Sequence, residues 1–287
     1  MDSSQPLQEI SAGDRFAFGE NWARFFGVLD ENRVRQAEQS LCEPLQSSSL
    51  VGRRFLDVGS GSGLLSLAAR RLGARVHSFD YDPQSVACTL ELRRRYFDND
   101  PKWTVDHASV LDPVYLESLG QFDFVYSWGV LHHTGEMWRA LENIVPLIGT
   151  TGCLMLAIYN DQGGASHRWR RLKQIYNTLP VRLRPLYAFL IMFPREMLFF
   201  IVQLMRGTPM NYVRQVRNYA EVSQRGMSYW HDLIDWIGGY PFEVAKPEQV
   251  FDFLLDRGFE LRRLSTCAGG IGCNEYVFER RVTQLGR

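Results

Sequence analysis

Neither sign of charge predominates in this chain. Its 287 residues carry 32 lysines and arginines against 32 acids, a formal net charge of zero. Nucleic-acid-binding proteins show a basic footprint, so the balance argues against a nucleic-acid partner. Local basic runs at 93–95 and 168–171 read as solvated helix faces. Paired cysteines are missing too. Cys42, Cys88, Cys153, Cys267 and Cys273 are odd in number, scattered and without a C-x-x-C pair, which fits free thiols in a reducing compartment. Residues 1–14 are polar and lack the apolar segment of a secretory leader, so the expected location is the cytoplasm. No compact set of three or more metal ligands stands out, and no metal is expected. With 45% hydrophobic and 22% charged residues nothing signals disorder, and the length suits one large domain with an elaboration.

What the chain does have is a glycine run. Residues 55–63 read FLDVGSGSG and are followed by LLSLAAR. Phe55, Leu56 and Val58 have the character of a buried parallel strand, and Leu64 opens a helix. Glycines at such a strand-to-helix turn let backbone N–H groups and the helix N-terminus approach a ligand closely. A dinucleotide fingerprint needs G-x-G-x-x-G. Gly59 and Gly61 satisfy its start, but Leu64 occupies the third glycine position. The run is D-x-G-x-G-x-G, from Asp57 to Gly63.

Strand-like and helix-like segments then alternate: strands at 75–79, 103–107, 122–127 and 153–159, helices at 64–72, 86–96 and 138–145, with Gly149 and Gly152 bracketing a turn. Asp82 and Pro83 have the chemistry of a helix N-cap and first helical residue, and Asp112 of a second cap. That alternation implies a parallel, doubly wound sheet. Residues 16–50 read as helical, with 1–14 a loose lead-in. About 85 residues intervene between strand five and the last helix, far beyond an ordinary connection. Within them 186–205 is very apolar but is interrupted by Pro194, Arg195 and Glu196. Charge at the centre argues against a membrane span. Two short helices forming a cap or a greasy membrane-facing surface fit it, with core packing as the alternative. A helix from Pro247, a sixth strand at 260–264 and a seventh at 276–279 close the chain.

The motif from Asp57 to Gly63, an acid (Asp80) 17 residues after the last glycine at the end of strand two, and the run S-W-G-V-L-H-H after strand four resemble the class I S-adenosylmethionine (SAM)-dependent methyltransferases, loosely those that O-methylate ubiquinone precursors. The likeness covers most of 50–158 and 245–281. It implies an α/β, Rossmann-like, doubly wound seven-stranded sheet with an antiparallel last strand. The expected units are a helical cover at 1–50, a SAM-binding core at 51–159, a helical cap at 160–244 and completion of the core at 245–287. The cofactor would be SAM, leaving as S-adenosylhomocysteine (SAH). The resemblance places the methionine part of SAM at Asp57, Gly59, Gly61 and Gly63, the ribose at Asp80, and the adenine near Tyr81, Ser109 and Val110. Ser127 and Trp128 belong to the strand-four motif. Phe18 to Trp22 would cover the pocket.

Methyl transfer to a hydroxyl benefits from a base, and histidine titrates in the useful range. His133 is the first candidate, then His132, with His231 from the cap. Tyr159, Asn160, Tyr229, Trp230, Asp232, Asp235, Asn274 and Glu275 are candidates for holding the acceptor. The apolar cap favours a small-molecule acceptor with a hydrophobic part, methylated at oxygen. It also leaves open peripheral membrane or lipid contact through 186–205. N- or C-methylation, a non-catalytic SAM-binding protein and an NAD-dependent oxidoreductase are the competing classes. Leu64 in place of the third glycine speaks against the last.

Overall fold

A seven-stranded sheet runs through the molecule in the order β3-β2-β1-β4-β5-β7-β6. This is a computed structural model, and it describes residues 4–25, 29–208, 210, 211, 214, 229–270 and 272–281. The strands are β1 (Arg54–Val58), β2 (Arg75–Asp80), β3 (Trp103–His107), β4 (Phe122–Trp128), β5 (Ile148–Tyr159), β6 (Phe259–Ser265) and β7 (Cys273–Arg280). β1 to β5 pair in parallel, and β7 lies antiparallel between β5 and β6. The expected sheet class and its reversed last strand are therefore present. Strand order reverses direction of growth between β1 and β4, and an open α/β sheet forms its ligand crevice at such a point, off the carboxyl ends of the strands.

The central strands are buried because helices cover both faces, as a parallel sheet requires. One core joins Leu56, Val58, Leu154, Leu156 and Phe278 to α7 (Met137–Ile144) and α11 (Pro247–Leu255). The opposite core joins Phe55, Val76, Trp103 and Met155 to α3 (Glu31–Leu45) and α4 (Leu64–Arg71). The chemistry expected of the caps is observed. Asp82 accepts from Gln84 N–H at the start of α5 (Pro83–Tyr96), and Asp112 accepts from Val114 and Tyr115 at the start of α6 (Pro113–Leu119).

Three local expectations are corrected. Within the expected lead-in, Ser4–Ala12 is not loose but a helix, α1. Its Glu9 meets Arg15 at 2.9 Å and accepts the Tyr81 hydroxyl at 2.8 Å, partners too distant in sequence to be read from a polar stretch. Gly149 and Gly152 do not separate a turn from a strand. They lie within β5, where Phe122 pairs with Ile148 and Phe124 with Cys153, so the extra residues form a bulge. Finally, the apolar stretch is one helix, α9 (Arg184–Met205), with Pro194 inside it. Pro194 and Leu190 are both exposed, so the turn at which proline removes a helix hydrogen bond is at the surface rather than in a dry core.

α9 follows α8 (Gly164–Thr178), and α10 (Tyr229–Gly238) precedes the return to the sheet. α8 is anchored by polar bonds. Lys173, fully buried, donates from Nζ to the Trp236 carbonyl and lies 4.5 Å over the Trp236 ring. Asn177 Nδ2 donates to the Gly238 carbonyl at 2.7 Å. α9 has little of this: only Ala188 and Met192 are buried, against Phe16, Tyr176 and Ile237.

Candidate active site

The glycine turn is built where β1 gives way to α4. Gly59 has φ +80°, and a β-carbon there would stand 2.4 Å from Val130 Cγ1. Gly63 has φ +79° and caps α4, its own β-carbon position 2.9 Å from the Thr89 backbone. Side chains are excluded from both positions by conformation as well as space. The turn is then held by acids. Asp80 accepts the Gly61 N–H at 2.8 Å on one oxygen and the Asp82 N–H at 2.9 Å on the other. Asp82 uses its second oxygen to accept the buried Gly19 N–H at 2.8 Å. It thereby fastens α2 (Phe18–Phe25), and with it Trp22, over the turn.

Asp57 sits beneath the turn at the end of a buried hydroxyl relay. The Trp103 indole N–H donates to Ser78 Oγ at 2.9 Å, Ser78 and Ser66 share a bond of 2.7 Å, and Ser66 donates to Asp57 at 2.5 Å. Burial pushes the Asp57 carboxyl up to about 7, with the Ser66 bond opposing and the Asp80 charge adding to the rise. Burial also pushes Asp80 up to about 6, against the pull of the backbone donors and Arg15. Two buried carboxyls whose ionisation burial opposes, with only Arg15 acting on Asp80 and no cation acting on Asp57, are suited to a cationic ligand.

These groups open into one cavity of about 800 Å³, toward the upper end of the roughly 300–1,000 Å³ usual for small-molecule sites. Of the sequence-derived cofactor candidates, Asp57, Gly59, Gly61, Asp80, Tyr81, Ser109, Val110 and Trp128 line it. Gly63 is instead the helix cap, and Ser127 is wholly buried off the wall. Of the acceptor candidates, Tyr159 and Glu275 line the cavity. Asn160 and Asn274 do not. Asn274 Nδ2 donates to Asn160 Oδ1 at 3.1 Å and its Oδ1 accepts the Cys267 N–H at 3.2 Å, so the two amides clasp the ends of β5 and β7. The backbone of 229–235 is helical, but the side chains of Tyr229, Trp230, His231, Asp232 and Asp235 lie outside the described residues.

The adjacent histidines separate cleanly. The 3₁₀ turn Leu131–His133 after β4 aims them differently. His133 lines the cavity, and its Nδ1 lies 2.6 Å from the Pro241 carbonyl. A carbonyl only accepts, so the proton is on Nδ1 and the lone pair on Nε2. His132 has no exposed surface and is off the wall; its Nδ1 accepts the Tyr159 N–H at 3.3 Å, which puts the proton on Nε2. The two rings thus hold opposite tautomers 4.5 Å apart. Sequence reasoning missed Arg15, whose guanidinium donates to the His133 carbonyl at 2.9 Å and lies 4.5 Å over the Tyr81 ring. Phe18, from the stretch expected to cover the pocket, lines the cavity 4.8 Å from the His133 ring; Ser66, Ser78 and Trp103 of the hydroxyl relay were missed. The missed cavity wall from the far strands and cap includes Met155, Val277, Arg263, Phe199 and Trp236. Nothing local marks these positions; alternation within β7 was the available signal for Glu275 and Val277.

Comparisons with known proteins agree with this geometry. Residues 56–154 match the family model described as a methyltransferase domain. A ubiquinone biosynthesis O-methyltransferase of Xanthomonas campestris is 32% identical over 113 residues, 39% of this chain and 45% of that protein. A tRNA U34 carboxymethyltransferase of Klebsiella pneumoniae is 35% identical over 105 residues, 34% of this chain and 30% of that protein. The chain spans less than half the length of these curated relatives. Magnesium protoporphyrin IX methyltransferase from Synechocystis, solved with bound SAH, has the same fold at 14% identity, with a TM-score of 0.51 over 86% of this chain and 83% of that one. Gly59, Gly61 and the two carboxyls lie in the matched region, the reversed seventh strand completes its sheet, and residues 56–154 form a methyltransferase domain.

Proposed function

We propose that the whole chain transfers the methyl group of SAM to a hydroxyl of a small molecule with a hydrophobic part, and that His133 is the general base. The observation that carries this reading is the continuity of a single cavity from Asp57 and Asp80 to His133 and on to an apolar wall of Met155, Val277, Phe199, Leu233 and Trp236. The donor set at the first end suits SAM: the carboxyls complement its positive charge, and the Asp80 oxygens, each with one backbone donor, retain lone pairs for ribose hydroxyls.

When bound, SAM supplies an electrophilic methyl on a sulfonium. The protein's part is alignment, exclusion of water and removal of one proton. With SAM held at Asp57 and Asp80, His133 Nε2 would take the proton of the acceptor hydroxyl as that oxygen receives the methyl group and SAH leaves. Nδ1 keeps its proton on the Pro241 carbonyl, which holds the ring and stabilises the imidazolium. Tyr159, 5.5 Å from the His133 ring and edge-on to it, and Glu275 flank the acceptor position. The excursion at 160–244 acts as an acceptor-side lid on this reading. The free cysteines suit a reducing, cytoplasmic setting.

Isothermal titration with SAM, SAH and NAD tests the cofactor end. Binding of the first two without NAD is expected. Incubation with methyl-labelled SAM and a panel of phenols, isoprenoid alcohols and catechols then tests the acceptor end. Label recovered at nitrogen or carbon in preference to oxygen would remove the hydroxyl assignment.

A further inference from the structure

α9 is the least buried apolar segment described. It is 22 residues long, about 33 Å at 1.5 Å per residue, and by length and composition it is apolar enough to cross a membrane. Ten large apolar side chains between Leu186 and Met205 are exposed, Leu198 by 63% and Phe189 by 56%. The turn before it adds Val181 and Leu183, also exposed. Single exposed apolar residues need no explanation, but a contiguous surface of this extent marks an interaction site.

Its surroundings are as distinctive in charge. Residues 164–208 hold eight lysines and arginines against a single acid, Glu196, in a chain whose totals are 32 and 32. Six of the eight are exposed, at 168, 170, 171, 182, 195 and 206. The lone acid is half-buried and faces the cavity. An exposed apolar helix surrounded by basic residues has the composition of an element that lies at the boundary of an anionic bilayer. Lying along the surface fits better than spanning, because Ala188 and Met192 are seated on the protein and Arg195 and Glu196 interrupt the middle. The same mid-helix segment is cavity wall: Arg195, Glu196 and Phe199 line the space that contains His133.

We propose that α9 and the 181–183 turn dock this protein along the surface of an anionic phospholipid bilayer, so that a lipophilic acceptor enters the cavity directly from the lipid past Phe199. The entry step rests on the methyltransferase reading; the docking does not. Docking brings the basic residues to the headgroups and the apolar stripe to the acyl boundary.

The test is flotation of the full chain with vesicles of phosphatidylcholine alone and of phosphatidylcholine mixed with phosphatidylglycerol. Binding to the mixture that weakens with salt, and little binding to phosphatidylcholine, are expected. The double variant Phe189→Glu, Leu198→Glu should stay in the unfloated fraction while keeping its melting temperature and SAH affinity, which excludes misfolding. Arg182→Glu and Arg206→Glu should each weaken vesicle binding about fivefold or more. Unaltered flotation of the double variant, or no preference for the anionic vesicles, overturns the proposal. A concentration-dependent dimer in sedimentation velocity that the same double variant abolishes would assign the face to a second copy of the chain instead. Since flotation needs neither SAM nor an acceptor, failure of the methyl-transfer reading would leave its outcome unchanged. To test entry, transfer to a vesicle-borne isoprenoid alcohol should fall in the double variant, and transfer to a short soluble alcohol should not.

Discussion

The glycine turn and α9 are opposites. The turn is composed mostly of small polar and flexible residues, yet it is packed so tightly that a single added carbon at Gly59 would meet Val130 at 2.4 Å. α9 is composed mostly of large apolar residues, yet most of it faces outward. At these two places burial follows the availability of a partner layer rather than side-chain hydrophobicity. The turn lies between the sheet, α2 and α5; Asp80 accepts its Gly61 N–H, the Phe79 carbonyl of β2 accepts the Gly59 and Ser60 N–H groups, and the Ser60 carbonyl accepts the Gly63 N–H. α9 packs against Phe16, α8 and α10, and among the described residues no second layer covers its outer face.

Substitutions at the two ends of the cavity should separate along the same line, and the largest effect is expected at His133. His133→Gln should lower the rate of methyl transfer by about 10²–10⁴-fold with SAH affinity within a factor of about two; near-normal turnover would remove it as the base. His132→Ala should instead lower the melting temperature, because a fully buried ring against Tyr159 is lost, at a cost of about 2–4 kcal/mol. Turnover lost without destabilisation would reverse the two assignments.

Gly59→Ala comes next. A left-handed φ of +80° costs an alanine about 1–3 kcal/mol, and the clash with Val130 adds to it. SAM binding should be lost, while vesicle flotation through α9 persists in whatever fraction remains folded. Asp80→Asn should weaken SAM and SAH by about 10–100-fold, the worth of about 1.5–3 kcal/mol for a charged hydrogen bond. Asparagine is a milder probe than alanine, because its one carbonyl oxygen can still accept from one of the Gly61 and Asp82 N–H groups that Asp80 holds, where alanine would free both.

The smallest effect is one of pH. Asp57 at about 7 and Asp80 at about 6 both lie above their ordinary value of 3.8. In the ligand-free protein they favour the folded state most below about pH 4, and that contribution fades as pH rises through 6 and then 7. A cationic ligand prefers them ionised, so SAM affinity should rise several-fold from pH 5.5 to 8 and then level. Around them, Asp82 opposes ionisation of Asp80 and Arg15 favours it, so Arg15→Gln should move the midpoint upward. In Asp57→Asn the dependence should shrink to the part centred near 6. An affinity that is flat across this range in the unsubstituted protein would mean that neither carboxyl meets the cation.

Much of the sheet was legible in the sequence because its determinants are local. Strand alternation, the Asp82–Pro83 cap and the glycines at forced φ each act within a few residues, and Leu64 in place of a third glycine already separated this turn from a dinucleotide fingerprint. Asp80 was legible for the same reason: it follows a strand and precedes a cap. What the sequence left open is long-range. No pattern near residues 9 or 15 shows that Glu9 and Arg15 reach Tyr81 and the His133 carbonyl, and adjacency alone does not distinguish His132 from His133. Their roles diverge only because Pro241, more than 100 residues away, presents a carbonyl to one ring while Tyr159 presents an N–H to the other. Asn160 and Asn274 have suitable side chains for an acceptor site, and only the pairing of β5 with β7 turns them toward each other. The composition of 186–205 likewise determined that the segment is helical and apolar. Whether it is core or surface was decided by tertiary structure, since burial depends on what else packs there, and a helix does not encode in its own residues which neighbours reach it.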